Sequence, residues 1–391
     1  MTLCMNMNYC DNDNTEKKKK ILMLNFEFPP IGGGAANANY YLLKEFAKDP
    51  ELEIDLVTSS VSSTFESERF SNNIEIFKLN INKKDLQYWR MSEIALWTWK
   101  AYWFSKRLVK KNNYDLCHCW FGWPAGIIGF LLRKNISYIV ALRGSDVPDY
   151  NARLRALDKN YFKFISTIVW QNAKTVAANS KNLRELARKT YDKKSIHVIY
   201  NGVNITEFKP DINRSELNVL FVGRLIKRKG VIYLIKAYKE VCDGYNNFKL
   251  IIVGGGPERE YLENFCKLAK IETKVEFLGA VKHKDIAGIY QKANILVLPS
   301  LEESLANVTL EAMASGLPII TTNTGAAELM DGNGFIVEKE NYKQIKEAII
   351  QYVDNPELLM KHGKKSRKTA EKMSWTNAAK AYIRIYDSII K

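Results

Sequence analysis

The stretch Asn294–Ile320, which reads NILVLPSLEESLANVTLEAMASGLPII, decides how this chain folds. Its first residues, Asn294–Pro299, form an apolar run ended by proline, which predicts a buried strand. The segment Ser304–Ser315 carries apolar residues at helical spacing, which predicts a helix with Ser304 as its N-cap. A strand that leads through a loop into a helix N-terminus creates a site for phosphate or sugar oxygens, because free N–H groups and the helix dipole favour negative charge there.

Two glutamates flank the start of this predicted helix. Glu303 precedes the first turn and Glu311 lies inside the helix. If helical rise applies between them, the two carboxylates are about 12 Å apart along the axis. That separation suits the two ends of one extended ligand, such as a nucleotide-diphospho-sugar, whose hydroxyl groups donate strong hydrogen bonds to carboxylates. Two glutamates on a solvated helix face are the alternative interpretation.

Composition and charge limit the class of protein. The chain has 391 residues, which is enough for two domains of ordinary size. Its net charge of +15 predicts an anionic partner, and the absence of any nucleic-acid-binding signature argues against DNA or RNA in that role. No apolar run reaches the roughly 18 residues of a spanning helix and no signal-peptide core is evident, so we expect a cytoplasmic protein. The six cysteines include no C-x-x-C pair, which favours buried free thiols over zinc ligands.

Strand-like and helix-like segments alternate along most of the chain. Residues 1–20 are polar and end in four lysines, which predicts a disordered basic tail, and Asp11-Asn12-Asp13 within it is interpreted as solvated rather than metal-binding. From Ile21 onward, the alternation predicts an α/β protein with doubly wound, mostly parallel sheets. Ligand sites are then expected beyond the carboxyl ends of the strands.

Two glycine-rich loops follow predicted strands. Gly32-Gly33-Gly34 comes after the first strand and lacks the G-x-G-x-x-G spacing of a dinucleotide site. Gly254-Gly255-Gly256 comes after a strand in the second half, but the next strand, Val275–Leu278, does not end in an acidic residue that would hold a ribose. A nicotinamide dinucleotide is therefore disfavoured, while close approach of backbone to phosphate stays possible in both loops.

Several segments resemble, in the same order, motifs of the family 4 retaining glycosyltransferases of GT-B fold. The segment from Glu303 to Glu311, followed by Ala-Met-Ala-Ser-Gly-Leu-Pro, is similar to the signature of that family. The other similar segments are Asn201-Gly202-Val203-Asn204, Gly223-Arg224-Leu225 with Lys229-Gly230, and Thr324-Gly325-Ala326-Ala327-Glu328, in which Ala327 replaces a proline. The resemblance extends from Ile21 to Lys391.

The resemblance implies a GT-B fold, in which two Rossmann-like doubly wound domains face a central cleft. It implies an N-terminal acceptor-binding domain at residues 21–205 and a C-terminal nucleotide-sugar-binding domain at residues 206–373. Residues 374–391 then form the terminal helix that crosses back to the N-terminal domain.

The resemblance also implies roles for individual residues. Arg224 and Lys229 would neutralise the departing diphosphate, Glu303 would position the sugar, and His118 would donate a hydrogen bond to a sugar hydroxyl. Only one of the two histidines of the family pattern is present around His118, and a satisfied core histidine is the alternative. The implied donor-binding residues are Gly33, Gly34, Arg224, Lys229, Val281, Glu303, Ser304, Leu305, Ala306, Asn307 and Glu311, with Glu311 on the ribose, and the implied acceptor-binding residues are Arg143 and Asp146.

The implied activity is transfer of a sugar from a nucleotide-diphospho-sugar to a hydroxyl acceptor with retention, which gives an α-linkage. No cofactor or metal is expected, and the implied acceptor is a lipid-linked or cell-surface glycan precursor. A non-catalytic subunit that binds a nucleotide sugar is one alternative. A hydrolase using Glu303 and Glu311 is another, but its carboxyl groups must flank one bond at about 5 to 9.5 Å, which a single rigid helix provides poorly.

The segment 86–111, LQYWRMSEIALWTWKAYWFSKRLVKK, interleaves aromatic and basic residues. Aromatic rings and cations on one helix suit an anionic membrane surface, which predicts a peripheral protein on the inner face of the cell membrane or a lipid-surface binding module. Aromatic rings at helical spacing that pack internally are the alternative.

Overall fold

A computed structural model describes residues 18–86, 88–150, 161–211, 217–245, 248–303 and 305–390. Most of the predicted basic tail, including Asp11-Asn12-Asp13, lies outside these ranges. The predicted tail boundary is wrong by two residues, because Lys19 and Lys20 already pair with the neighbouring strand at Leu52 and Glu53. The Lys19 side chain pairs with Asp387 of the last helix and the Lys20 side chain pairs with Glu53 of the neighbouring strand, so the strand can begin with charged residues.

Among the described residues, the first sheet has eight strands in the order β3-β4-β2-β1-β5-β6-β7-β8, and only β3, which runs antiparallel to β4, departs from the parallel arrangement. Strand β3 was not expected from the sequence because its residues are polar and lie at an exposed edge. The elements are β1 (Lys19–Leu24), α1 (Gly34–Phe46), β2 (Leu52–Ser60), β3 (Glu66–Ser71), β4 (Ile74–Asn80), α2 (Met91–Lys111), β5 (Leu116–Trp120), α3 (Ala125–Leu132), β6 (Tyr138–Leu142), α4 (Lys163–Asn172), β7 (Thr175–Ala178), α5 (Lys181–Arg188) and β8 (Ile196–Val198).

The second sheet has six parallel strands in the order β11-β10-β9-β12-β13-β14. Its elements are β9 (Leu217–Val222), a 3₁₀ turn (Lys227–Lys229), α6 (Val231–Cys242), β10 (Phe248–Val253), α7 (Arg259–Leu268), β11 (Val275–Gly279), α8 (His283–Lys292), β12 (Ile295–Leu298), α9 (Asn307–Ala314), β13 (Ile319–Thr322), a 3₁₀ turn (Gly325–Leu329), β14 (Gly334–Val337), α10 (Tyr342–Asp354) and α11 (Pro356–Glu371). Both sheets are covered by helices, as the alternation of segments predicts.

The order of strands reverses at the centre of each sheet. Strands β10 and β12 lie on opposite sides of β9, and β2 and β5 lie on opposite sides of β1. Where the connections after two adjacent strands run to opposite sides of the sheet, a crevice opens at the carboxyl ends of those strands. The loops after β1, β9 and β12 therefore lie where a ligand can enter between the two halves of the molecule.

The last helix, α12 (Trp375–Ile389), packs on the first domain rather than the second. Trp375, Tyr382 and Tyr386 are buried in the hydrophobic core around the first sheet, and the Trp375 ring stacks on Tyr41 of α1 at a centroid distance of 5.6 Å. The side chain of Ser374 caps this helix by accepting a hydrogen bond from the N–H of Asn377. The chain thus crosses back onto the N-terminal domain, as the resemblance implies.

Helix α2 carries the aromatic-basic segment, and its two faces differ. Trp97 is fully buried against the first sheet, whereas Trp99 and Trp103 are 62% and 44% exposed. Internal packing therefore accounts for the aromatic residue on one face of the helix but not for the exposed tryptophans on the other. Among the helices of the described residues, none has the length and apolar content needed to cross a membrane.

Candidate functional site

A cavity of about 540 Å³ lies between the two domains at the loops that follow the central strands. Eleven of the residues singled out from the sequence line this one cavity: Gly33, Gly34, Arg143, Arg224, Lys229, Val281, Glu303, Leu305, Ala306, Asn307 and Glu311. They are contributed by both domains, although they are far apart along the chain. Ser304, also singled out, lies outside the described residues.

Two cations of the cavity, Arg224 and Lys229, come from the loop after β9. Arg224 is exposed on the cavity wall, and Lys229 is 8% exposed and forms an ion pair with Glu303. Gly230, at a φ of +63°, lets this loop approach the end of β12 so closely that a Cβ would lie 2.2 Å from the carbonyl oxygen of Pro299. Docking of one loop on the other brings the Lys229 ammonium to the glutamate.

The start of helix α9 differs from the sequence prediction. The helix begins at Asn307 with Ala306 as its N-cap residue, and no side chain within the described ranges caps it. The predicted N-cap at Ser304 is therefore two residues too early, because the first helical residue is Asn307. Leu305, Ala306 and Asn307 face the cavity, so first-turn N–H groups remain available to an anionic ligand.

Glu303 and Glu311 line the same cavity from different depths. Glu311 lies in α9, is 7% exposed, and accepts a hydrogen bond of 2.9 Å from the Tyr290 hydroxyl. Glu303 lies in the loop before α9 and also borders a second cavity, of about 460 Å³, on the side of α5. The two carboxylates can therefore bind different parts of one ligand, as their spacing in the sequence suggests.

Arg143 belongs to a hydrogen-bond relay that connects the two domains. Its guanidinium lies 4.1 Å from the ring centroid of Trp120 and donates to the side-chain oxygen of Asn201 at 2.5 Å. The Asn201 amide donates to the side-chain oxygen of Asn307 at 2.7 Å, and the Asn307 amide donates to the carbonyl of Gly34 at 3.3 Å. The relay holds the first residue of α9 against the glycine loop of the first domain.

Asp146 does not face the cavity. It is 1% exposed, and its carboxylate accepts hydrogen bonds from the backbone N–H groups of Gly122, Arg143 and Gly144 at 2.5 to 2.9 Å. The predicted acceptor contact does not fit this placement, because the carboxylate is occupied in shaping the loop after β6. Asp146 instead fixes the backbone that presents Arg143.

His118 lies in the core beneath α12. It is fully buried, its Nδ1 is 2.7 Å from the Tyr386 hydroxyl, and its ring centroid is 4.9 Å from that of Tyr382. Burial, with a smaller contribution from the Arg143 charge, lowers the pKa of His118 to about 3, so the ring is neutral. The predicted sugar contact does not fit this placement, and the alternative of a core histidine does.

Sequence reasoning missed Arg228 and Asn201 as residues of the cavity. Arg228 was not singled out from the sequence, yet it lines the cavity and donates to the carbonyl of Glu302 at 3.3 Å. Asn201 was noted only as part of a segment similar to a family motif. Its position immediately after the last strand of the first domain, in a segment matching a family motif, was the available signal.

Among the described residues, no group of three or more His, Cys, Asp and Glu side chains could hold a metal ion. The four cysteines that the described ranges include, Cys117, Cys119, Cys242 and Cys266, are buried free thiols, as predicted.

Comparison with protein families and curated proteins gives a consistent result. The family described as glycosyl transferases group 1 matches residues 203–369, and the family described as glycosyltransferase family 4 matches residues 32–207. An uncharacterized glycosyltransferase of Methanocaldococcus jannaschii is 29% identical over 95% of this chain and 98% of its own length. A D-inositol 3-phosphate glycosyltransferase of Corynebacterium glutamicum is 25% identical over 92% of this chain and 94% of its own.

Solved structures agree with the predicted GT-B fold. A sucrose-phosphate synthase from Thermosynechococcus elongatus superposes with a TM-score of 0.82 at 21% identity, over 95% of this chain and 99% of that one. The Anabaena protein HepE in complex with UDP superposes with a TM-score of 0.72 at 16% identity, over 95% of this chain and 100% of that one. The prediction of two Rossmann-like domains is therefore confirmed.

Proposed function

Because this chain belongs to the family 4 glycosyltransferases of GT-B fold, we propose that it transfers a hexose from a nucleotide-diphospho-sugar to a hydroxyl acceptor with retention, forming an α-linkage. One observation carries the proposal: Arg224, Lys229 and the N-terminus of α9 line the same cavity as both glutamates. Separate cavities for these groups would have contradicted it.

The chemistry of the cavity is mainly electrostatic. Negative charge develops on the diphosphate as the bond to the sugar breaks, and Arg224, Lys229 and the N–H groups at the start of α9 are fixed around that position. Arginine can bind phosphate oxygens in a bidentate manner, while lysine acts as a point charge. These groups supply the positive charge of the proposed reaction, so the proposal includes no resident metal or cofactor.

The two glutamates and the second cavity predict the orientation of the bound nucleotide sugar. Glu311, which lines the cavity together with Val281 and the Gly254–Gly256 loop, suits the ribose, and Glu303 suits the sugar. Because Glu303 also borders the cavity of about 460 Å³ near α5, a sugar held at Glu303 is accessible from that side. We propose that the hydroxyl acceptor enters through this second cavity and meets Arg143, which lines the first.

A thermal-shift panel of UDP-, GDP- and ADP-sugars tests donor binding. The matching nucleotide sugar should raise the melting temperature, since a ligand at 100 times its Kd stabilises the folded state by about 2.7 kcal/mol. The Glu311→Gln variant keeps an acceptor for the Tyr290 hydroxyl but loses the charge, so we expect at least about tenfold weaker binding and a smaller shift. Glu272→Gln, an exposed site in the same domain, should retain the full shift. A protein that no nucleotide sugar stabilises would contradict the proposal.

The exposed face of α2 favours a membrane-bound acceptor. Trp99 and Trp103 border a surface groove with Lys100 and Arg107, and Lys106 lies 4.9 Å from the Trp103 ring centroid. Rings that can enter the headgroup region beside cations that attract anionic lipid are the features of an interfacial helix. We propose that this face binds an anionic membrane surface and so brings the cleft to a lipid-linked glycan precursor.

Flotation with phosphatidylglycerol-rich vesicles at low salt tests the membrane proposal. The double variant Trp99→Ala/Trp103→Ala should partition at least about tenfold less strongly into the vesicle fraction, because two large apolar side chains no longer leave water. Leu268→Ala removes an 85% exposed apolar side chain from the other domain and should bind like the wild type. Equal flotation of the tryptophan variant and the wild type would contradict the proposal.

A further inference from the structure

Glu27 is a carboxylic acid next to the cleft that the proposed reaction does not use. It lies between β1 and the Gly32–Gly34 loop and is partly buried. Its Oε2 sits directly against Gly32, where an added Cβ would lie 2.8 Å from that oxygen. The backbone N–H of Gly33 donates a hydrogen bond to the carboxyl. Because Gly32 and Gly33 line the cleft cavity, the carboxyl lies immediately behind the wall of the proposed donor site.

Two cations from different elements act on this carboxyl. Lys83, in the segment before α2, is already paired, since its Nζ is 2.8 Å from the carboxylate of Glu93 and 4.1 Å from the ring centroid of Trp89. Arg224 acts from the loop after β9, in the other domain. Burial raises the pKa of Glu27 to about 7, against the lowering effects of Arg224, Gly33 and Lys83.

The charge of Arg224 is shared between Glu27 and any diphosphate in the cavity. In the empty cleft, Arg224 stabilises the Glu27 carboxylate. A diphosphate bound to Arg224 neutralises that cation and adds negative charge nearby, so both changes favour the protonated acid. At neutral pH, where the empty protein holds the proton only part of the time, ligand binding must then be accompanied by proton uptake.

We propose that Glu27 is a proton-binding residue of the donor site, which takes up a proton from solvent when a nucleotide-diphospho-sugar binds beside Arg224 and releases it when the nucleotide leaves. The proton removes a carboxylate that would repel the diphosphate. This inference rests on the proposed function, because it requires a diphosphate in the cleft. It adds a pH dependence to that function: donor binding is tighter at pH 6 than at pH 8.

Calorimetry in two buffers of different ionisation enthalpy measures the proton directly. The probe is the sugar nucleotide of the UDP-, GDP- and ADP-glucose panel that gives the largest thermal shift, because its diphosphate is esterified at both ends and carries no proton of its own near neutrality. At pH 7 the wild type should take up a measurable fraction of a proton for each ligand bound. Glu27→Gln keeps an acceptor for the Gly33 N–H and should take up none. Glu272→Gln, the exposed control, should behave as the wild type.

The possible outcomes separate this inference from the proposed function. Zero uptake by the wild type, or equal uptake by Glu27→Gln and the wild type, would overturn the role of Glu27 and leave sugar transfer intact. Failure of every panel sugar to bind either protein would overturn the proposed function, and the coupling with it.

A measurement without ligand checks the same proton site. The folded-state pKa of Glu27 lies above its ordinary value of 4.5, so between these values the folded protein holds a proton that the unfolded chain has lost. Wild-type stability should therefore fall relative to Glu27→Gln as pH rises from 5 to 8. A difference in melting temperature that stays constant over this range would also overturn the inference.

Discussion

Replacement of Arg224 and Lys229 by alanine is expected to lower kcat at least about a thousandfold, because removal of a single fixed group that stabilises developing charge already costs about 10²- to 10³-fold. Both side chains line the donor cavity, and Lys229 is paired with Glu303. The effect should fall on kcat more than on KM, since the charge on the leaving diphosphate is greatest in the transition state. Steady-state assays of sugar transfer, with the donor that the thermal-shift panel identifies, measure kcat and KM of the variant and the wild type.

Two variants make this test specific. Lys227→Ala removes one charge from the same loop, but Lys227 is exposed and does not line the cavity, so near-wild-type turnover is expected. Arg224→Lys keeps the charge and loses the bidentate fork, so its turnover should be intermediate. Vesicle binding should survive in the double alanine variant. Wild-type turnover in that variant would refute the assignment of these cations to the leaving group.

Replacement of Gly202 by alanine should produce the largest loss of stability among the glycine positions at the domain crossing. A Cβ at Gly202 would lie 2.1 Å from the backbone nitrogen of Trp375, so backbone rather than a flexible side chain must move. We expect a cost of about 3 kcal/mol, near the upper end for overpacking, and a melting temperature lower by roughly 5 °C or more. Displacement of the start of α12 would also disturb the stack of Trp375 on Tyr41.

Gly288→Ala is the matched control for this prediction. Gly288 lies in α8, and no atom of the described residues outside its own helical turn lies within 4 Å of the point that a Cβ would occupy. Alanine there should leave stability unchanged or raise it by about 0.5 to 1 kcal/mol, because glycine is unfavourable inside helices. Melting curves followed by circular dichroism compare the two proteins. If Gly202→Ala melts with the wild type, the close packing of linker and terminal helix does not constrain the fold.

The predicted residues that lie together in the cavity have a local signal. Glu303, Glu311, Arg224 and Lys229 lie in short motifs next to strands whose apolar runs are evident, and a parallel sheet brings the loops after its strands to one edge. Once the fold is known, the position of these residues just after the strands explains why they lie close together. The glycine loop after β1 reaches the same cavity for the same reason.

The residues that were predicted poorly depend on partners distant in the chain. His118 and Asp146 occupy strand-end positions like those of the cavity residues. However, Tyr386, which is 268 residues away, contacts the ring of His118. Backbone N–H groups of Gly122 and Gly144 donate hydrogen bonds to the carboxylate of Asp146. Nothing within a few residues of either side chain reveals these contacts. Burial and hydrogen bonding, rather than position in a motif, separate core residues from cavity residues.

Local patterns along the chain were enough to predict α/β sheets with ligand sites beyond the ends of the strands, because apolar periodicity and glycine or proline positions act over a few residues. The resemblance to the family added the two domains and a cleft with positive charge and two carboxylates. Three-dimensional packing alone decided that α9 starts at Asn307, that Arg143 is joined to Asn307 through Asn201, and that burial raises the pKa of Glu27 to about 7. The physical reason is that desolvation and long-range charge depend on which surfaces meet in the folded protein.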